Sequence, residues 1–310
     1  MSVDQPNRRE AMQSMLLAGA GAFFGRATAA SAAPAPVLSR TIPASGERLP
    51  VIGLGTWQAF DVGNDAGGRR ECTETLHTFI DQGLRVVDTS PMYGSAEAVL
   101  GELLDPADGG RRTFVATKVW TTGQDAGKRQ IENSFRLLRR EKLDLIQVHN
   151  LVDADTQLST LAQLKKDGRV RYVGVTHSSA SAHAALAGYV ERANLDFVQV
   201  NYSLIERDAD KTVLPAASTH KVAVLINRPF ADGALFARTR GRELPAFASE
   251  IGVTTWAQFA IKWIISHPAV TCVIPGTRNP AHLRDNIGAA AGAMPDAAMR
   301  TKMAAHFDSL

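Results

Sequence analysis

Four residues of this 310-residue chain, Asp88, Tyr93, Lys118 and His149, are of types that together can place a proton on a carbonyl oxygen. Three of them close short apolar runs: Leu84-Arg-Val-Val-Asp88, Thr113-Phe-Val-Ala-Thr-Lys118 and Leu143-Asp-Leu-Ile-Gln-Val-His149. Tyr93 follows Asp88 in the loop Thr89-Ser-Pro-Met-Tyr93-Gly94. A free tyrosine has a pKa of about 10 and exchanges its proton poorly near neutrality. An ammonium beside it stabilises the phenolate and is expected to draw that value down. Asp88 would keep Lys118 charged and oriented, and His149 would donate to the carbonyl oxygen. Such a set supplies the proton of a carbonyl reduction while another agent supplies hydride. The sequence holds no metal-ligand set, so a nicotinamide is the hydride source that fits. Taken singly, each residue also has a plain reading, as a helix cap, a solvated lysine or a hydrogen-bonded histidine. Only convergence on one rim makes them a site.

Convergence requires elements that end together. Eight apolar runs of buried-strand type occur at 51–55, 84–88, 113–118, 143–149, 170–176, 197–201, 222–226 and 270–274. Helical stretches separate them. Among these, 156–166 stops at Asp167-Gly168, where glycine suits a left-handed C-cap. Further stretches lie at 210–220, 245–250, 254–266 and 280–288. Trp256, Phe259, Ala260 and Trp263 fall at i, i+3, i+4 and i+7, a core stripe rather than a ligand platform. Ahead of the first run, residues 38–42 and 47–49 flank Pro43-Ala-Ser-Gly46 as a small hairpin. Eight alternating units point to one (β/α)8 barrel over residues 33–310, with its active site at the C-terminal strand ends. A doubly wound sheet would carry a glycine fingerprint after its first strand, which Val51-Ile-Gly-Leu-Gly55-Thr-Trp57 does not provide.

The composition, 45% hydrophobic and 21% charged, belongs to a globular chain. A formal net charge of +3, with scattered basic pairs, argues against nucleic acid. Cys72 and Cys272 form no zinc or redox spacing and read as isolated thiols. Arg8-Arg9, a short Gly/Ala-rich apolar run and Ala27-Thr28-Ala29-Ala30-Ser31-Ala32 have the order of a secretory leader. The arginine pair makes it resemble a twin-arginine export signal over residues 1–32. Periplasmic export is therefore expected, the alternative being a cytoplasmic protein that keeps the segment. The glycines of Gly19-Ala-Gly21-Ala-Phe-Phe-Gly25 are one residue too widely spaced for a dinucleotide fingerprint and follow no strand.

Asp88-Thr-Ser-Pro-Met-Tyr93-Gly94, Thr117-Lys118 and Val148-His149 together resemble the aldo-keto reductases. So do Gly53-Leu-Gly55-Thr-Trp57, Gly168-Arg-Val-Arg-Tyr-Val-Gly174-Val, Gln199 and Ile274-Pro275-Gly276-Thr277, in matching order across the barrel. The resemblance implies NADPH bound without a Rossmann fold, and Tyr93 as general acid in a tetrad with Asp88, Lys118 and His149. It implies that Gln199 hydrogen-bonds the nicotinamide carboxamide. Thr176-His177 stands where a Ser-Asn pair usually does that, and Asn227-Arg228 where an aromatic ring often stacks. Gly276 and His282 replace basic residues that commonly hold the 2′-phosphate. Arg278 and Arg284 are nearby cations for it, and Thr277 and Asn286 complete the expected cofactor positions. NADH is left open by these departures.

Trp57 and Trp120 follow the first and third strands and are expected to face an apolar pocket for an aldehyde or ketone. The connection 228–244 carries Arg238, Arg240 and Arg242, which are expected to reach the cofactor pyrophosphate. The short stretch after residue 288 leaves little room for a long specificity loop. Two rival readings remain: a nicotinamide-binding sensor that regulates a partner, and a lyase or isomerase using Lys118 as a Schiff-base amine.

Overall fold

A computed structural model of the chain describes residues 37–108 and 112–310. The expected leader, residues 1–32, lies outside the described residues. Two short strands, β1 (Ser39–Thr41) and β2 (Arg48–Pro50), pair as an antiparallel hairpin. Eight parallel strands then form the barrel: β3 (Leu54–Gly55), β4 (Val86–Asp88), β5 (Phe114–Val119), β6 (Leu143–His149), β7 (Val170–His177), β8 (Phe197–Asn201), β9 (Ala223–Asn227) and β10 (Cys272–Val273). Helices α1 (Ala66–Asp81), α2 (Ala96–Asp108), α3 (Gln124–Leu137), α4 (Ala154–Lys166), α5 (His183–Arg192), α6 (Val213–His220), α7 (Ala234–Thr239), α8 (Trp256–Ile265), α9 (Pro280–Gly288) and α10 (Ala297–Asp308) complete the fold. This is the expected (β/α)8 barrel.

Strands pair with their sequence neighbours from β3 to β10, and the ring closes between the first and the last. Gly53 N donates to Val273 O at 2.8 Å, Val273 N to Val51 O at 2.9 Å and Gly55 N to Pro275 O at 3.0 Å. Glycine is required at this seam. A Cβ on Gly53 would stand 2.7 Å from the Val86 carbonyl oxygen, and one on Gly55 2.8 Å from that of Ile274.

Alternation along each strand sorts the side chains. On β5, Val115 and Val119 join the core between sheet and helices, while Phe114 and Ala116 point into the barrel. The inward row continues to Lys118. The same period puts Leu145, Gln147 and His149 inside on β6, and Phe197, Gln199 and Asn201 inside on β8. Each row is thus apolar at its N-terminal end and polar at its C-terminal end. Ile42 and Leu49 of the hairpin region are fully buried in the inner apolar cluster with Phe114, Tyr172 and Phe197. Glu47 pairs with Arg85 and Arg171 to fasten the hairpin there. The bottom of the barrel is plugged, and the polar ends meet at the top.

One expectation about helices changes. The stretch 245–250 forms 3₁₀ turns over Ala246–Ile251 instead of a regular helix. The residues after 288 include α10, whose Met303 and Phe307 are fully buried and whose Arg300 donates to Tyr202 Oη at 2.8 Å. Gly168 follows α4 at φ +74°, as its C-cap role requires.

Candidate active site

At the top of the barrel lies a buried ion pair. Lys118 Nζ, fully inaccessible, donates to Asp88 Oδ2 at 2.6 Å and to the Thr89 carbonyl at 2.8 Å. Burial opposes the ammonium charge, but Asp88 and Tyr93 outweigh it and hold the lysine above its ordinary value. Asp88 is supported on its other oxygen by Gln199 Nε2 at 2.8 Å and Gln147 Nε2 at 3.4 Å. Gln199 Oε1 in turn accepts from Thr176 Oγ1 at 3.1 Å and Asn227 Nδ2 at 3.3 Å. Side chains from β4, β5, β6, β7, β8 and β9 therefore share one network.

Tyr93 is placed by a turn rather than a strand. Its N–H donates to Ser90 O at 3.0 Å, and its carbonyl accepts from Ala96 N at 3.1 Å. This brings the ring over Lys118 Nζ, 4.8 Å from its centroid, and edge-on to His149 at 5.9 Å between centroids. The expected lowering of the tyrosine pKa does not result. Burial pushes the phenol up, and the nearby Lys118 ammonium offsets only part of that. Tyr93 thus keeps its proton at neutral pH, as a donor should. His149 is pushed down to about 2, by burial first and then by Lys118 and His177, and is neutral. Its Nδ1 lies 3.1 Å from Ser90 Oγ, which also accepts from Met92 N at 3.4 Å. The tautomer with the serine hydroxyl donating to Nδ1 leaves the histidine proton on Nε2, the nitrogen available to a substrate.

A cavity of about 510 Å³ opens over these groups. Asp88, Tyr93 and His149 line it, with Trp57 and the expected cofactor positions Thr176, Gln199, Asn227, Arg228 and Gly276. Asn227 Oδ1 and Arg228 Nε are buried without hydrogen-bond partners. The Arg228 guanidinium reaches Asp232 at 3.1 Å and Glu206 at 3.4 Å.

Other expected residues lie elsewhere. Trp120 is exposed and does not line the cavity; its backbone is clamped by Gln130 through bonds of 2.6 and 3.2 Å. His177 alternates away from Thr176 on β7, and its Nδ1 accepts from Ser179 N at 3.1 Å. Thr277 Oγ1 accepts from Asn279 N at 3.0 Å, and Asn286 is buried in α9. Arg278 donates to Glu71 at 2.7 Å and Arg284 to Thr78 at 3.2 Å, so both cations are tied to α1. His282 is exposed on α9. Arg238 stacks on Phe307 at 4.6 Å and donates to the Asp308 carbonyl at 2.9 Å, which turns it toward α10 rather than the cavity. Arg240 and Arg242 are exposed. Cys72 and Cys272 are buried, unpaired thiols. Among the described residues no helix is long and apolar enough to cross a membrane.

The sequence profile of the aldo/keto reductase family matches residues 51–304. The chain belongs to that family. It is 26% identical to the aldo-keto reductase YhdN of Bacillus subtilis, over 78% of this chain and 86% of that protein. It is 29% identical to the methylglyoxal reductase YeaE of Escherichia coli, over 77% and 84% respectively. A crystal structure of an aldo-keto reductase from Klebsiella pneumoniae in complex with NADPH superposes with a TM-score of 0.73 at 25% identity, covering 87% of this chain and 95% of that one.

Within this aldo/keto reductase, several residues of the cavity wall and of the hydrogen-bond network beneath it escape a reading of the sequence. Gln147 precedes His149 by two on β6, so strand period alone marks it as inward. Ser90, Met92, Phe230, Asp232 and Phe236 come from loops or from α7 and carry no periodic signal. Trp57, Met92 and Phe236 remain substantially exposed and form an apolar rim around the polar floor.

Proposed function

We propose that this protein reduces aldehydes or ketones to alcohols with NADPH as electron donor. The observation that carries the reading is the Tyr93 phenol set against the buried Lys118–Asp88 pair, in a cavity that His149 also lines. In this reading His149 Nε2–H orients the substrate carbonyl, and the Tyr93 hydroxyl gives its proton to the carbonyl oxygen. The phenolate left behind is stabilised by Lys118, which Asp88 keeps charged. The lyase or isomerase reading needs a free amine at Lys118, whereas Asp88 and Tyr93 hold that nitrogen as an ammonium.

The cavity fits a nicotinamide. Asn227 Oδ1 is a buried acceptor without a partner, of the kind a carboxamide NH₂ satisfies. Thr176, Gln199, Asn227, Arg228 and Gly276 would border it, with Thr277, Arg278, Arg284 and Asn286 toward the adenosine end. Bound there, NADPH supplies the hydride. Support for NADPH comes from the Klebsiella relative solved with that cofactor. For the substrate, the rim of Trp57, Met92 and Phe236 favours a small carbonyl compound with an apolar substituent.

Titrating residues 33–310 with NADPH and NADH by tryptophan fluorescence, then adding an aldehyde panel while following cofactor absorbance, tests the reading. Tighter binding of NADPH and aldehyde-dependent oxidation are expected. Binding without turnover of any carbonyl would favour the sensor instead. Periplasmic export rests on the leader motif alone. It predicts that the full chain partitions to the periplasm and that replacing Arg8 and Arg9 by lysine abolishes this.

A further inference from the structure

Glu97 is a buried carboxylic residue that the proposed proton transfer does not use. It stands in the first turn of α2, where an exposed acid would simply complement the helix dipole. Instead it is 1% exposed and turned toward the strand that carries Lys118. Its Oε1 accepts from Thr117 Oγ1 at 2.6 Å, and Thr117 is itself fully buried. The Ser134 hydroxyl of α3 also acts on this carboxyl, yet neither Glu97 Oε2 nor Ser134 Oγ completes a well-formed hydrogen bond. A dry wedge between α2, β5 and α3 thus holds one strong tie and spare polar capacity. Burying a carboxyl with so few partners is costly, so an apolar side chain would serve a purely packing role better.

The tie joins the two halves of the proton-donor pair. Thr117 is the neighbour of Lys118 on β5. Glu97 follows Ala96, whose N–H closes the turn on the Tyr93 carbonyl. From the solvent side the same turn is held by Asp61, which accepts from Ser95 N at 2.8 Å and Ser95 Oγ at 2.7 Å. Glu97 is its anchor from the inside.

We propose that Glu97 is a positioning residue: its bond to Thr117 fixes the Tyr93 turn against β5 and so sets the contact between the phenol and the Lys118 ammonium. This rests on Tyr93 being the proton donor. Burial pushes the Glu97 carboxyl up from its usual range, with Thr117, Ser134 and Lys118 opposing. The tie needs an acceptor oxygen rather than a charge, so a neutral glutamine should serve nearly as well, accepting the Thr117 hydroxyl at the same place.

The test compares Glu97→Gln, Glu97→Ala, Thr117→Val and Tyr93→Phe in the purified protein, with 4-nitrobenzaldehyde as probe substrate. Steady-state kinetics across pH, NADPH affinity by fluorescence and melting temperature are measured for each. Glu97→Ala should lower kcat by on the order of 10²-fold, because a misplaced donor is expensive. It should also displace the alkaline limb of kcat while leaving NADPH affinity within about twofold. Thr117→Val should reproduce the pattern, and Glu97→Gln should restore most of kcat and the wild-type limb. Loss of melting temperature with unchanged kcat and pH limb in Glu97→Ala would reduce Glu97 to packing. A Glu97→Gln protein as slow as Glu97→Ala would also overturn the proposal, showing that charge rather than the tie matters. Full activity in Tyr93→Phe would instead sink the reading on which the proposal stands.

Discussion

Replacing Lys118 by methionine removes the cation from the barrel interior at nearly constant volume, and the geometry says what that should cost. Asp88 loses its 2.6 Å partner but keeps Gln199 at 2.8 Å and Gln147 at 3.4 Å. Breaking a buried pair from one side costs about 3–5 kcal/mol because the survivor is left charged and dry. With two amides still donating, Lys118→Met should fall near the lower end, about 3 kcal/mol. Asp88→Asn should cost more, about 4–5 kcal/mol, since the amide has one oxygen to divide between Lys118 and the two glutamine donors and no charge to offset the buried ammonium. The double variant leaves no orphaned charge, so its cost should fall short of the sum by at least about 2 kcal/mol. Urea unfolding at pH 7, followed by tryptophan fluorescence, gives all four corners of the cycle. Costs below about 1 kcal/mol for the single variants, or strict additivity, would refute the buried ion pair as the centre of the site.

Other consequences follow from the same geometry. His149, with a folded value near 2 against about 6.5 unfolded, takes up its proton only on unfolding through that window. Its contribution is therefore full above pH 6.5 and lost as pH falls, at up to about 1.4 kcal/mol per unit. Chemical denaturation at pH 6.5 and 5 should show the wild type losing about 1.6 kcal/mol relative to His149→Asn, and parallel losses would contradict a neutral buried imidazole. Gly55→Ala would press a Cβ to 2.8 Å from the Ile274 carbonyl at the barrel seam. It should destabilise by about 1–3 kcal/mol, readable as a lower melting temperature, whereas Gly46→Ala at the hairpin tip, with open space around it, cannot act through a clash.

The strands were legible because both faces of a barrel strand are buried, which leaves apolar runs whose last inward residue stands out. Asp88, Lys118 and His149 were found that way, and the Tyr93 turn by its nearness to Asp88. Strand period also separates Thr176, inside, from His177, outside, although their sequence adjacency suggested a pair. What could not be read depends on contacts between distant segments. Trp120 occupies the same kind of strand-end position as Trp57, but Gln130 on α3 clamps its backbone, and its side chain stays outside the cavity. Arg238 turns to Phe307 on α10, a helix that buries few large apolar residues. The direction of the Tyr93 pKa was misjudged for a related reason: a sequence shows that a lysine is near but not how dry the pocket around the phenol is.

The most direct test of the account is single-turnover oxidation of bound NADPH by an aldehyde in wild-type protein and in Tyr93→Phe, with cofactor affinity measured on the same samples. The account predicts rapid oxidation in the wild type and, in the variant, undiminished NADPH binding with the rate lower by at least about 10²-fold, the scale of general acid catalysis. Oxidation at the wild-type rate by Tyr93→Phe would contradict it, because the proton would then come from another group.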